Sequence, residues 1–247
     1  MTTPWILLPG MAETAEEFAR VRELLPEIEL HVIDPWQTPV NADPAVLRAA
    51  AGVPAGVAVG LIGHSIGGLA ALRWMLTRPD EVVRLVLVDS TLPSETGQRW
   101  LYPGTAGDRV IRAALGFLGL VGLPKLLGPT VRRQIVKLGS VAGQDPLPKA
   151  TGRRLYGDSR SWQRFWTELT ASWLAAVAVG KLLPGSGGVP AVLLVATGGT
   201  SKRGADDWLA GQRELAAALS GRVEVLTDSA HLVHVDRPDA IAAAVRS

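Results

Sequence analysis

The chain of 247 residues contains no cysteine. Disulfides, thiol nucleophiles and cysteine-ligated metals are therefore excluded, and the redox compartment is left open. Charge is also scarce, at 19% of residues, and 25 basic against 23 acidic side chains leave a formal +2. No clustered basic stripe runs along the sequence, so a nucleic-acid partner is not indicated. Long apolar runs are missing too. The longest, "AALGFLGLVGL" from Ala113 to Leu123, holds three glycines and is too short to span a bilayer. The opening "MTTPWILLP" lacks a basic segment and a long apolar core, so it does not read as a signal peptide. These absences predict a cytoplasmic protein without a membrane span. What is abundant is hydrophobic side chain, at 47%. That suits one large domain, or a domain carrying an insertion, with a sizeable core.

Short apolar runs predict strands at Trp5–Leu8, Leu30–Ile33, Val57–Ile62, Leu85–Val88, Ala191–Ala196 and Val223–Leu226. Most lack alternation, as expected of strands buried on both faces. Helical patterns lie between them, at 13–25, 66–79, 206–221 and 237–247, the last with Pro238 suited to a first turn. Such alternation predicts an α/β fold, a mostly parallel sheet flanked by helices. Residues 91–190 break the rhythm, with helical stretches divided by Pro and Gly and no convincing strand. A hundred residues do not form one loop in a compact domain. The expected organisation is therefore a core of 1–90 and 191–247 with a helical cap, 91–190, inserted between strands.

The most informative stretch is "LIGHSIGGLAALRW", residues 61–74. A strand ends in Gly63-His64-Ser65-Ile66-Gly67 and a helix starts at once. In such a G-x-S-x-G turn the serine occupies a strained bend and the glycines prevent clashes. Ser65 then projects into the cleft at the carboxyl end of the sheet, where ligands bind in open parallel sheets. The alternative is a glycine-rich turn with an ordinary capping serine. A nucleophilic serine needs a base in reach. Of the four histidines, His31 lies in a strand and reads as packing, and His64 points away from the cleft. His231 and His234 share "SAHLVHVDRPDAI" after the last strand. His231, nearer the strand, is the predicted base, and His234 reads as structural.

These residues resemble the α/β-hydrolase superfamily. The resemblance runs from "WILLPGMAET" through "GHSIGG" and "RLVLVDST" to "GRVEVLTDSAHLVHVDRPDAI" and covers the sheet-forming part, leaving the cap without clear matches. It implies a serine-acid-histidine order and a reduced fold of about six parallel strands, since the chain opens at what looks like the family's third strand. It also implies an oxyanion hole from the amides of Ile66 and Met11, with Pro9 in place of the usual histidine. The common Gly-x-x-Asp turn after the strand that follows the cap is absent: "LLVATGGTSKRGADDW" has Thr200 there. Asp206 and Asp207 read as acids at a helix start. Asp89, closing "RLVLVDST" beside the Ser65 strand, is the chosen acid, because some superfamily members carry theirs after this strand. Its alternative role is capping the next turn with Ser90 and Thr91. Asp228 and Asp236 flank the histidine loop as weaker candidates.

In the cap, "SRSWQRFWTELTASWL" puts Trp162, Phe165, Trp166, Leu169 and Trp173 on one helical face. Trp162 and Trp166 are the candidate substrate-binding residues, although packing of cap on sheet explains most such side chains. Arg132, Arg133, Lys137, Arg153 and Arg154 read as a solvated face. The resulting expectation is a serine hydrolase cleaving an ester, lactone or thioester of an apolar small molecule. Acyl transfer with the same residues, or a non-catalytic ligand-binding role, are the alternatives. A serine nucleophile argues against dehalogenation, which uses an aspartate. No metal or organic cofactor is implied, and nothing in the sequence specifies an oligomeric state.

Overall fold

A computed structural model of the chain describes residues 3–184, 188–202 and 204–247. Met1 and Thr2 of the opening segment, 185–187 of the expected cap and Arg203 of the loop searched for an acid lie outside the described residues. Six parallel strands form one sheet in the order β2-β1-β3-β4-β5-β6. They are β1 (Trp5–Leu8), β2 (Leu30–Val32), β3 (Val59–His64), β4 (Val82–Val88), β5 (Ala191–Ala196) and β6 (Arg222–Leu226). The helices are α1 (Ala19–Glu23), α2 (Pro44–Ala50), α3 (Ile66–Thr77), α4 (Ala106–Leu120), α5 (Leu123–Gly139), α6 (Lys149–Tyr156), α7 (Ser159–Leu182), α8 (Ala205–Ala218), α9 (Val233–Asp236) and α10 (Pro238–Arg246).

Burial follows sheet position. Every residue of β1, β3 and β5 is buried, which is why their sequences lack polar alternation, with His64 at the end of β3 as the polar exception. The edge strands β2 and β6 are only partly covered, and β2 carries His31, whose Nε2 lies 3.0 Å from Glu29. Successive side chains point to opposite faces. Ile6, Leu61, Leu87 and Leu193 join α2, α3 and α8 in one core cluster. Leu7, Ile62, Val86 and Leu194 join α1 and α10 in the other.

Several local expectations change: β4 begins at Val82 rather than Leu85, α8 ends at Ala218 rather than at 221, and two further changes bear on the site. The segment 13–25 is not one helix but a tight turn at Ala15–Phe18 followed by the short α1. The turn directs Glu17 inward, where it is buried against a cation described below, and an exposed amphipathic helix has no use for such a carboxylate. The third strand begins at Val59 rather than Val57 and continues through His64, so the bend follows the strand with no intervening loop. Between β4 and β5 the chain runs through α4 to α7 with no described strand. Ala175, Ala176 and Val179 of α7 pack with α3 in the core, so the second half of α7 flanks the sheet while its first half stands over the carboxyl end.

Candidate active site

Ser65 follows the last residue of β3 with φ 51° and ψ −123°, and α3 begins at the next residue. This left-handed conformation is strained for a residue with a Cβ and persists only where the surroundings enforce it. The flanking glycines supply the enforcement. A Cβ on Gly67 would stand 2.1 Å from the Leu8 carbonyl oxygen, and one on Gly63 would stand 2.6 Å from that of Gly67. The room is for backbone: α3 seats directly on β1 with Ser65 at the apex.

His231 reaches this apex from the loop after β6. Its Nε2 lies 3.1 Å from Ser65 Oγ and its Nδ1 2.6 Å from Asp89 Oδ2. A carboxylate only accepts, so Nδ1 carries the proton and the Nε2 lone pair faces the hydroxyl. Asp89 caps β4 with φ 40° and is fixed by donors on its other oxygen. Ala196 N donates to Oδ1 at 3.0 Å and Trp208 Nε1 at 2.9 Å. Trp208 escaped sequence reasoning; its signal was an indole one turn into the helix that begins with the two acids.

The other carboxylates are placed elsewhere. Asp206 and Asp207 occupy the first turn of α8. Asp228 pairs with Arg237 at 2.8 Å. Asp236 accepts from Ser140 Oγ and from the amides of Val141, Ala142 and Ala230, tying the end of α5 to the histidine loop. Thr200 donates to the Leu138 carbonyl.

Behind the exposed groups lies a buried network that the sequence did not reveal. His64 points away from the cleft, as expected, but has a specific role there. Its Nε2 donates to the His231 carbonyl at 2.8 Å and its Nδ1 meets Glu13 Oε1 at 2.8 Å. Glu13 also accepts from Gly10 N at 2.5 Å. One buried carboxylate thus ties the Gly10 loop, the residue before Ser65 and, through it, the His231 backbone. Burial opposes charge on His64, but the Glu13 carboxylate outweighs it and holds the imidazole above its ordinary value. Burial likewise opposes ionisation of Glu13, yet attraction to His64 and hydrogen bonds from His64 and Gly10 keep it well below the usual carboxylate range. His234 is buried with neither ring nitrogen hydrogen-bonded, its ring 4.3 Å from that of Phe18. Burial pushes its pKa down to about 3, so it is a neutral packing residue. Among the described residues, Glu13, His64 and His234 gather potential ligand atoms within 4.8 Å of one another.

The amides on either side of Met11 are taken. Gly10 N donates to Glu13, and Ala12 N donates to Glu168 Oε2 at 3.2 Å. Among the described residues no acceptor meets the Met11 amide, and that of Ile66 is the first in α3 and has no partner within the helix. Ser65, Asp89 and His231 line a cleft of about 630 Å³ with Thr91, Asp207 and Trp208. Trp162 and Trp166 do not line it. They wall a separate apolar pocket of about 300 Å³ with Ile111, Leu115, Phe165 and Met11, the last joining this pocket to the Gly10 loop. Their indoles donate to Tyr156 O and Asp108 Oδ1.

One expectation is overturned. Arg132 is no solvated cation: it is 3% exposed, bound to Glu17 at 2.7 Å and to Asp145 at 2.6 Å. A guanidinium takes such a site when carboxylates converge on its fork, and Glu17 arrives from 115 residues away. Nothing local to the "TVRRQ" segment signals that.

Comparison with known proteins bears on the family and the fold. The alpha/beta hydrolase family profile matches residues 6–244. Lipase LipV of Mycobacterium tuberculosis is 27% identical over 150 residues, 57% of this chain and 52% of that protein; the match spans about half the length of that relative. An alpha/beta hydrolase fold protein from Burkholderia ambifaria superposes with TM-score 0.69 at 16% identity, covering 99% of this chain and 90% of that one. The enol-lactonase from Burkholderia xenovorans LB400 superposes with TM-score 0.65 at 17% identity, covering 100% and 91%.

Proposed function

The chain belongs to the alpha/beta hydrolase family, and on that premise we propose that it hydrolyses carboxylic esters, lactones or thioesters through an acyl-enzyme on Ser65. The observation that carries this reading is the single imidazole of His231, 3.1 Å from Ser65 Oγ on one nitrogen and 2.6 Å from Asp89 on the other. His231 Nε2 takes the hydroxyl proton as Oγ attacks the carbonyl carbon. The oxyanion that forms is held by the amides of Met11 and Ile66, each such donor contributing on the order of a hundredfold or more in rate. The C–O bond to the leaving group breaks as His231 returns its proton to the departing oxygen. A water then attacks the acyl carbon as it gives its proton to Nε2, and the bond to Ser65 Oγ breaks as His231 returns that proton to Oγ, freeing the acid. Asp89 keeps the imidazole in the required tautomer throughout.

The substrate's apolar part occupies the pocket walled by Trp162 and Trp166, which Met11 joins to the oxyanion loop, and its other part lies in the Trp208 cleft. Residues 91–190 act as the cap, with the first half of α7 supplying the aromatic wall. A lactonase among the structural neighbours and a lipase among the sequence relatives support an ester-type bond. The test is turnover of p-nitrophenyl esters of graded chain length. Medium chains are expected to give the highest kcat/KM, and Ser65→Ala to remove turnover, about 10⁶-fold in kcat, with an unchanged circular dichroism spectrum. Retained turnover in that variant would falsify the assignment.

A further inference from the structure

Within residues 106–156 the chain carries nine basic and two acidic residues, while the remainder carries 16 basic and 21 acidic. Both acids are engaged, Asp108 with Arg112 and Asp145 with Arg132. The near-neutral total therefore conceals a polarised molecule with its positive side on the cap. That side is also the apolar one. Helices α4 and α5 meet at 107°, and around this corner Val110, Phe117, Leu120, Val121 and Leu126 are exposed, Leu120 by 87% and Leu126 by 73%. Val110, Phe117, Leu120 and Val121 recur with Ala113 and Ala114 at helical spacing and form one face of α4 and its turn, and Leu126 adds to it from the start of α5. The one charged residue between Val110 and Val121, Arg112, turns away from this face to Asp108 at 2.8 Å and Thr167 at 2.9 Å.

At the foot of the corner, Lys125, Arg153 and Arg154 line a cleft of about 460 Å³ with Gly119 and Gly122. Among the described residues none of these cations has a carboxylate partner. The acid in this cleft, Asp158, accepts from Arg160 N as the cap of α7. Among the described residues no single helix is long and apolar enough to cross a membrane. An apolar ridge beside unpaired cations instead fits an element that lies in a lipid interface, with its side chains in the headgroup layer and its charges on phosphates.

We propose that the α4–α5 corner is a docking surface for an anionic lipid bilayer, with Phe117, Leu120, Val121 and Leu126 entering the interface and Lys125, Arg153 and Arg154 contacting phosphate-bearing headgroups. Ile111 and Leu115, on the other side of α4, wall the apolar pocket, so a docked molecule holds that pocket just above the lipid. The docking itself is independent of the role of Ser65.

The test is co-sedimentation of the full chain with vesicles of mixed phosphatidylglycerol and phosphatidylcholine, and with phosphatidylcholine alone. Binding is expected to the anionic vesicles and to weaken as salt is raised. Arg153→Gln with Arg154→Gln should lower partitioning roughly 25-fold, about fivefold per charge. Leu120→Asp should lower it by about tenfold or more. Both variants should keep the wild-type melting temperature and the wild-type turnover of a soluble short-chain ester. Equal affinity for the two vesicle types would overturn the proposal, as would binding indifferent to these substitutions. So would a dimer that Leu120→Asp dissociates in a chain that binds no vesicle, since a second copy would then be the occupant.

Discussion

The bend at Ser65 and the corner between α4 and α5 solve opposite problems. At Ser65 the hydroxyl, the His231 imidazole and the Asp89 carboxylate meet one another in sequence, glycines bring backbone against backbone, and one buried carboxylate, Glu13, fastens several segments. At the corner large apolar side chains face outward, and among the described residues Lys125, Arg153 and Arg154 lack carboxylate partners. Crowded, satisfied contacts suit a site whose geometry must be held within a fraction of an ångström. Unsatisfied surface suits a region that finishes its contacts with something else. The two are separable by substitution, and each experiment below sharpens or breaks that separation.

The largest effect belongs to the bend. Beyond the loss expected for Ser65→Ala, Asp89→Asn should lower kcat by about 10⁴-fold with little change in KM. An equal loss from Asp206→Asn would show that the carboxylate was misassigned. Neither substitution should alter vesicle binding, and Leu120→Asp should alter that binding alone. If Leu120→Asp also removed turnover of a soluble ester, the two regions would be one.

Next comes the buried fastening. Removing one partner of a buried ion pair leaves the other charge uncompensated, so Glu13→Gln should cost about 3 kcal/mol of stability in urea titrations. The dependence on pH follows from the directions above. His64, raised in the folded state, contributes stability that is present below the ordinary imidazole value of 6.5 and is lost as pH climbs through its folded value. Glu13, lowered, contributes stability that is present above 4.5 and is lost as pH falls through its folded value. The pair thus supports the fold best between those limits. In Glu13→Gln both dependences should shrink, and a wild-type pH profile in the variant would mean that the pair is not ionised.

The smallest effect concerns His234. Its depressed value means that the unfolded chain takes up a proton between pH 6.5 and about 3 while the folded chain does not. Stability therefore falls as pH drops through that window, and His234→Leu should flatten this part of the profile. An unchanged acid slope would show that His234 is already protonated in the folded protein.

The sheet and the Ser65 chain were legible because their signals are local. Buried parallel strands read as apolar runs, a G-x-S-x-G bend needs its glycines within two residues of the serine, and Asp89 and His231 each close or follow a strand. What was not legible depends on distant partners. Arg132 is indistinguishable from Arg133 in sequence, yet it is buried by Glu17 and Asp145. Glu13 and Glu168 give no sign that they hold the loop carrying Met11. Trp162 and Trp166 fell on the predicted helical face, but periodicity does not say which cavity a face meets, and theirs contains Met11 rather than Ser65. The charge polarity was hidden by whole-chain averaging.

The carboxylate that meets His231 hangs from the end of β4 and is steadied by Ala196 and Trp208, so on the proposed mechanism the connection from β5 to α8 supplies no partner for the imidazole. Ser201 and Gly204 of that connection border the Ser65 cleft, so splicing in longer or bulkier segments there offers a route to retailoring which leaving groups are admitted. An engineer could reshape the doorway while the machinery behind it stays untouched.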